Sequence, residues 1–516
     1  MRLLDFCAKL SPALCAGLGA ACGYYLLYPL FYSGRAGLLA LAALAFAPLL
    51  ARGFFLALAS LPADESRGGD IRALRALSRL LAALAAGIAL GIGAGAQVSR
   101  DASFGLLPES ITGVSGVVLD DPRILLSGSA MTTISLKNVH GPGGLRASSS
   151  GEITIFFREE NAASLREFGR GAEVFADGRL QESSGFGAAY VFSAGSLHLV
   201  EPAPPLDRFR TGIRAGLTER FARDEAWGGL ALALLLGIRD SLDSGLTDLY
   251  RAAGISYILA LSGMHLAVII ALISFLLKKP LGLRPAAIVG AAVIVAYCFV
   301  VGPLPSLYRS ALMYLLGALA VIGMLKRDSL SILSMAFLIQ IAASPQAGIS
   351  LSFILSYLAM LGILVLGKSL NDSLRGVIPP FLLGPLALSI GAFIGTAAVV
   401  SHVFGDVRPA GILAGIVIAP LTTAFMVGSI LWLCVDALIP ALSAALAWPL
   451  AQLYDIMEGV ARIAGHIPRL SLGPGAAIST SLALSALIVW LGLRLKARRD
   501  RLAPFANALG AGEPQD

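Results

Sequence analysis

The sequence predicts a polytopic α-helical membrane protein, with about 12 transmembrane helices and one small β-barrel insert facing the extracytoplasmic side. Three observations predict it. Hydrophobic residues occupy 57% of the 516 positions and charged residues only 14%, a balance that soluble domains do not reach. Apolar runs near the 20 or so residues that a bilayer crossing needs recur from residue 13 to residue 494. Between about 100 and 203 these runs give way to short stretches in which apolar and polar residues alternate. A disordered chain, a secreted chain and a cytosolic enzyme are excluded together.

The net charge of +7 is what cytoplasmic loops rich in Lys and Arg produce, so basicity gives no reason to infer nucleic-acid binding. The five cysteines, Cys7, Cys15, Cys22, Cys298 and Cys434, lie in or beside apolar runs without CxxC spacing. Neither a disulfide framework nor a zinc site is expected.

Arg2 and Lys9 precede an apolar run over 14–31. With no small-residue cleavage site behind it and a second run over 37–58, it reads as a retained first helix. The third run, 80–98, sets Gly87, Gly91 and Gly95 four residues apart, a small-residue face that admits a close neighbour. Stretches such as Gly113-Val-Ser-Gly-Val-Val-Leu119, Glu152-Ile-Thr-Ile-Phe-Phe157 and Tyr190-Val-Phe192 then predict an OB-like barrel over 100–205. Its aromatics Phe156, Phe157, Phe175, Tyr190 and Phe192 suit a barrel core better than base stacking. From 100 to 203 there are 8 Arg and Lys against 12 Asp and Glu, and a net of −4 opposes a backbone-tracking groove.

Residues 206–225 place Phe209, Ile213, Leu217 and Phe221 at four-residue spacing, with Arg208, Arg210, Arg214, Arg220 and Arg223 between them. The pattern predicts an amphipathic helix lying on the membrane surface. The main helical block fills 226–495, with nine further spans near 254–277, 285–301, 307–325, 329–344, 350–367, 378–400, 410–435, 440–457 and 475–494. Re-entrant pieces within 229–251 or 440–470 are an alternative to this count. A cytoplasmic amino terminus puts Lys278/Lys279, Lys326/Arg327, Lys368/Arg375 and the basic tail Lys496/Arg498/Arg499/Arg501 inside a bacterial inner membrane and the β insert outside it.

The chemistry concentrates in Gly237-Ile-Arg-Asp-Ser-Leu-Asp-Ser-Gly-Leu-Thr-Asp-Leu-Tyr-Arg-Ala-Ala-Gly254 and the following Ile-Ser-Tyr-Ile-Leu-Ala-Leu-Ser-Gly-Met-His265. Arg239, Asp240, Asp243, Asp248 and Arg251 form a polar group between apolar helices, with His265 beside Ser262 and Gly263. Two readings stay open on the residues alone: a solvated interfacial loop with one hydrogen-bonded core histidine, or the lining of a wet path through the bundle. Arg309 follows Pro303 and Pro305 at the start of a span; it either snorkels to the interface or points inward towards a phosphate. His402, Asp406 and Arg408 read as a short solvated loop.

The stretch from about 226 to 495 resembles the ComEC family of competence proteins, membrane channels for DNA internalisation. The resemblance rests on Gly237 and Arg239, then Arg251 and Gly254, then Ser262, Gly263 and His265. Downstream it continues in Gly302-Pro-Leu-Pro-Ser-Leu-Tyr-Arg-Ser-Ala-Leu-Met313, in Pro345-Gln-Ala-Gly-Ile-Ser-Leu-Ser-Phe353, and in Gly411 and Pro420. It implies an inner-membrane channel for single-stranded DNA. The implied path is lined by Gly237, Arg239, Arg251, Gly254, Ser262, Gly263, His265, Arg309, Ser352 and Pro420. It implies as partners a cytosolic DNA translocase, an external DNA receptor and a separate nuclease, besides the lipid bilayer. No cofactor and no catalytic residue are implied.

This chain departs from the family pattern at Tyr257 (often His), Ser310 (Ala), Ser344 (Asp), Ser350 (Gln) and Gly415 (Asn). Many relatives carry a metallo-β-lactamase-like domain; here His140, His198, His265, His402 and His466 never cluster, so no hydrolytic metal centre is expected. Gly362-Ile-Leu-Val-Leu-Gly-Lys-Ser369 matches a phosphate-loop pattern in letters only, since four apolar residues finish a hydrophobic span where a flexible turn is required. Two other functions remain compatible with the residues: a secondary transporter of a small solute, coupled to protons through Asp240, Asp243 or His265, and a membrane scaffold with an external binding barrel.

Overall fold

The computed structural model describes residues 11–31, 69–97, 103–124, 129–158, 168–182, 190–222, 227–302, 304–324, 328–375, 378–405, 408–469 and parts of 475–494. The expected span at 37–58, the pair Lys326/Arg327, Asp406, Arg223 and the basic tail lie outside the described residues.

The chain opens with a helical pair, α1 (Pro12–Phe31) and α2 (Gly69–Gln97). Their contact is set by absent side chains. A Cβ on Gly87 would stand 2.0 Å from the Ala16 carbonyl oxygen, and one on Gly91 2.3 Å from that of Ala20. Gly19 and Gly23 make the reciprocal approach to Leu84 and Ile88, so the two backbones touch as small-residue faces allow.

Among the described residues seven strands follow: β1 (Gly113–Val118), β2 (Arg123–Ile124), β3 (Ala130–His140), β4 (Arg146–Ser148), β5 (Glu152–Phe157), β6 (Glu173–Glu182) and β7 (Tyr190–Glu201). They form one sheet in the order β1-β6-β7-β5-β3-β2, with β4 on β3 and a further β1–β3 pairing. All pairs are antiparallel except β5–β7. Burial alternates along β3 and β5 with the period of two that a strand imposes. Val114, Ile134, Ile153, Ile155, Val174 and Phe192 fill the interior. Phe157 and Phe192 are core residues, as the pattern suggested, whereas Phe156, Phe175 and Tyr190 are half-buried.

Helix α3 (Pro205–Phe221) joins sheet to bundle, and here the sequence reading needs correcting. Phe209, expected on the apolar face, is 65% exposed, while Arg210, expected to be solvated, is 2% exposed. The reason is electrostatic. Arg210 donates from both terminal nitrogens to Asp121, at 3.2 and 2.5 Å, and Arg214 Nε lies 3.4 Å from the same carboxylate. Arg214 Nη1 also donates to the carbonyls of Val300 and Val301 at 3.2 and 2.9 Å, at a helix C-terminus whose unpaired carbonyls attract cations. Burial alone would raise the Asp121 carboxyl, but the two guanidiniums and the Arg170 amide hold it below the ordinary carboxylate value.

The bundle starts with short pieces. Helix α4 (Gly228–Leu236) is buried along its whole length. It ends on Gly237, whose φ of 70° suits a residue without a Cβ. Gly237 N–H reaches the Ala233 carbonyl, the 5→1 closure of a left-handed helix cap, and Ile238 N–H reaches that of Leu232. Nine residues cover only about half of a bilayer, so α4 is too short to cross one by itself. Helices α5 (Ser244–Ala252) and α6 (Ser256–Leu259) continue this broken segment.

Behind it come α7 (Gly263–Leu281), α8 (Leu283–Val301), α9 (Pro305–Ile322), α10 (Ser329–Ala343), α11 (Leu351–Leu374), α12 (Pro380–Phe404), α13 (Ala410–Leu438) and α14 (Pro440–Gly465). Among the described residues six helices are long and apolar enough to cross a membrane: α7, α8, α9, α11, α12 and α13. That is half of the twelve expected. Helix α10 has only 15 residues, α14 carries Asp455, Glu458 and Arg462, and the second run lies outside the described residues. The phosphate-loop lookalike is the π-helical stretch Ile363–Gly367 inside α11. Its Gly362 and Gly367 pack on Gly391 and Ala387 of α12, so no loop of free amides exists there.

Two outcomes test this architecture. Gly91→Leu drives a side chain into the Ala20 backbone and lowers stability by about 1–3 kcal/mol, read as a drop in the thermal midpoint of the detergent-solubilised chain. Asp121→Asn leaves two guanidiniums against a neutral partner and costs about 3 kcal/mol. Because the folded-state carboxyl titrates below its unfolded value, its contribution is complete above about pH 4 and disappears as pH falls through the lower folded value. Acid titration of the midpoint should lose this component in Asp121→Asn. Superimposable curves for the two proteins would remove Asp121 from the account.

Candidate functional site around Arg309

Helix α9 begins with Pro305 at its first position, which fixes φ and needs no donor there. Arg309 sits one turn further on and is 7% exposed. It does not snorkel outward. Its Nε donates to Ser356 Oγ of α11 at 2.6 Å, its Nη2 to Ser310 Oγ at 3.2 Å, and its Nη1 faces Met313 Sδ at 3.6 Å. Among the described residues no carboxylate lies within ion-pair distance of it. A guanidinium in such a setting retains its charge, so the bundle holds an uncompensated cation on neutral oxygens.

The start of α9 is tied to three neighbours. Ser306 Oγ donates to the Leu261 carbonyl at 2.7 Å, and Ser310 Oγ to that of Ser306 at 3.0 Å. Gln340 Nε2 of α10 donates to the Pro305 carbonyl at 2.9 Å, and Tyr357 Oη of α11 to Gln340 Oε1 at 3.0 Å. Gly263 gives Arg309 its room: a Cβ there would lie 2.8 Å from Ser310 Oγ and 3.1 Å from Arg309 Nη2.

Ser262 and His265 sit at the head of α7 as a reciprocal cap. Ser262 Oγ accepts from the Met264 amide at 3.4 Å, and His265 Nδ1 accepts from the Ser262 amide at 3.1 Å. An amide can only donate, so Nδ1 is unprotonated and the ring proton of the neutral imidazole is on Nε2. That atom is buried without a hydrogen-bond partner among the described residues. Gly237 lies under the same corner, 3.6 Å from Leu304 and 3.9 Å from Leu261 when given a Cβ. The Gly237, Ser262-Gly263-x-His265, Arg309 and Ser350-to-Ser356 segments therefore converge on one place.

The other named residues form different contacts. Arg239 is exposed and donates to the Leu259 carbonyl at 2.8 Å, so it braces α6. Arg251 pairs with Asp248 at 3.0 Å on an exposed face. Gly254, with φ of 75°, abuts Arg408 and Gly411, and Arg408 Nη1 donates to the Ala252 carbonyl at 2.6 Å. Ser352 is exposed in the first turn of α11, one turn before Ser356. Pro420 is exposed within α13, where it deprives the Ile416 carbonyl of its helical donor. Ser356, Gln340 and Tyr357 escaped the sequence reading. Gln340 carried a usable signal, being an amide inside an apolar helix.

These convergent segments all fall within the part of the chain, residues 234–499, that matches the family model described as Competence protein. The chain belongs to the competence protein family. A protein of Aquifex aeolicus (strain VF5) described as uncharacterized is 27% identical over 264 residues, covering 50% of this chain and 59% of that relative. This chain thus covers less than two thirds of that relative's length. Family membership and the six apolar helices make it a membrane protein of the competence class. Among the described residues no three of His, Cys, Asp and Glu gather as a metal-binding group.

Gly263→Ala should displace the guanidinium and lower stability by about 1–2 kcal/mol. Ser310→Ala, which removes the 2.8 Å contact, should recover part of that loss. A double-mutant cycle on the thermal midpoint reads the coupling, and strictly additive effects would mean that the two residues do not compete for the same space.

Proposed function

We propose that this protein is the bacterial inner-membrane channel through which single-stranded DNA passes during natural transformation. The observation that carries the proposal is Arg309, a charge enclosed among helices and held by serine hydroxyls with no carboxylate among the described residues. A buried cation left without an anion of its own suits a site that meets a transient polyanion. Ser356 and Ser310 then act as neutral placeholders that a phosphate oxygen displaces. At 7% exposure the site is closed in this conformation, so passage of a strand requires α9 and α11 to separate.

In this reading the residues of the family motifs divide the work. Arg309 meets phosphate, Gly263 keeps its space, Ser262 and His265 fix the head of α7, and Gly237 and Arg239 hold the broken segment α4–α6 against it. Gly254, Arg251, Ser352 and Pro420 shape the approach. The amino and carboxyl termini are cytoplasmic, and up to twelve crossings carry the path. The sheet of 100–205 is an OB-like barrel outside the membrane, a reading supported by the pairing circuit β1–β3–β5–β7–β6–β1 with its single parallel pair. The chain works with a cytosolic translocase that pulls the strand, an external receptor and a separate nuclease. Proton-coupled solute transport is less well served, because Asp243 spends its carboxylate on the Gly245 and Leu246 amides that cap α5.

Reconstitution of the full chain in liposomes, with a labelled oligonucleotide outside and a nuclease inside, tests the proposal. Arg309→Gln should lower DNA entry about tenfold, the scale of one charged hydrogen bond, with unchanged protein incorporation. Arg309→Lys should fall between the two. Wild-type entry through the glutamine variant would end the assignment of Arg309.

A further inference from the structure

Helix α11 carries Ser356 against Arg309, and the chain enters α11 through a short turn, Pro345–Ile349. Two tyrosines of α1 grip that turn. Tyr24 Oη donates to the Pro345 carbonyl at 2.7 Å and Tyr25 Oη to the Gly348 carbonyl at 2.9 Å. The two residues are 0% and 2% exposed, and a phenol at such depth needs the partner it has found. Gly348 makes the seat, since a Cβ there would stand 2.7 Å from the tip of the Tyr24 ring. Ser350 carries the position of the turn on into α11: its Oγ donates to the Ala347 carbonyl at 2.7 Å and accepts from the Phe353 amide at 3.2 Å.

Helix α1 is itself seated on α10, where a Cβ on Gly17 would lie 2.7 Å from that of Ser334. Helix α10 in turn holds α9, through Gln340 and the Pro305 carbonyl. The heads of α9 and α11 are thus fastened to a common base by different bonds, α9 through Gln340 and α11 through the two tyrosines. Their rings close the joint: Tyr24 and Tyr25 share one apolar cluster with Phe337 of α10 and with Phe353 and Tyr357 of α11, the last two rings 4.6 Å apart. Separation of α9 from α11, which access to Arg309 demands, works against these bonds.

We infer that Tyr24 and Tyr25 are a latch: their bonds to the turn at 345–349 keep α11 against α9 and so hold the Arg309 site closed. The inference rests on the DNA-channel reading and adds to it the element that regulates opening. Hydroxyl-to-carbonyl bonds suit the task, because each contributes only a small part of the stability of a fold. Such bonds bias an equilibrium between closed and open states without deciding whether the bundle assembles.

The test uses the full chain in nanodiscs, with amide exchange read segment by segment by mass spectrometry, and the liposome entry assay with its labelled oligonucleotide. Tyr24→Phe combined with Tyr25→Phe keeps both rings and removes only the hydroxyls. It should speed exchange about tenfold over 305–313 and 351–357, the scale of one or two hydrogen bonds, leave exchange of α13 unchanged, and raise DNA entry. Gly348→Ala, which displaces the Tyr24 ring, should act in the same direction in the otherwise wild-type chain and add nothing in Tyr24→Ala. Faster exchange throughout the bundle with reduced entry is general damage to packing and overturns the inference. Unchanged exchange over the two segments overturns it as well, and leaves the channel reading standing as long as Arg309→Gln still lowers entry. Should the wild type admit no DNA, the channel reading fails, and exchange alone decides the latch: local acceleration upholds it as a closure of the bundle, and its absence overturns both.

Discussion

A guanidinium enclosed by helices, with hydroxyls and a thioether around it and no acid within reach among the described residues, is the constraint to which the surrounding structure answers. Removing an ion from water costs several kcal/mol unless dipoles replace the lost solvent. The replacements here are ordered in turn: Ser310 is bonded to the Ser306 carbonyl, Ser306 to that of Leu261, and Gln340 to both Pro305 and Tyr357. The heads of α7 and α9, the middle of α10 and the first turns of α11 are thereby fixed relative to one another. The polar groups around Arg309 specify how these helices meet, which an apolar interface inside a membrane does weakly.

The same economy of space recurs wherever tyrosine meets glycine. Tyr24 of α1 lies over Gly348, Tyr314 of α9 over Gly290 of α8, and Tyr257 over Gly415. In the first case the hydroxyl of Tyr24 donates to the Pro345 carbonyl at 2.7 Å and that of Tyr25 to the Gly348 carbonyl at 2.9 Å. The amino-terminal pair, outside the residues matched by the family, is thus keyed into the turn that precedes α11. Distance along the chain does not separate it from the segments that converge on Arg309.

Much of this was legible in the sequence, for identifiable reasons. The apolar runs, the alternating strands and the Gly87/Gly91 face follow from periodicity, which depends on local geometry alone. The half-length of α4 was harder to see, because an apolar run gives no sign of where Gly237 turns the chain. The inward turn of Arg210 and Arg214 could not be read from α3, since its cause is Asp121, some ninety residues earlier in the chain. Arg309, Gly263, Ser262 and His265 were named from their motifs, but Ser356 and Tyr357 look like ordinary span residues until folding places them. Tyr257 and Gly415 stood out singly as departures from the family pattern. The fold brings the two into contact, which neither position discloses alone.

The carboxylate of Asp121 also has a mechanical role. It lies in the connection between β1 and β2, while the two arginines that grip it also touch the terminal peptides of α8, through the Val300 and Val301 carbonyls and beside Gly302. Force applied to the sheet is therefore delivered at the end of a bundle helix that packs against both α7 and α9. A tug on the sheet thus reaches, through packed helices, the neighbourhood of Arg309, which has no carboxylate partner among the described residues.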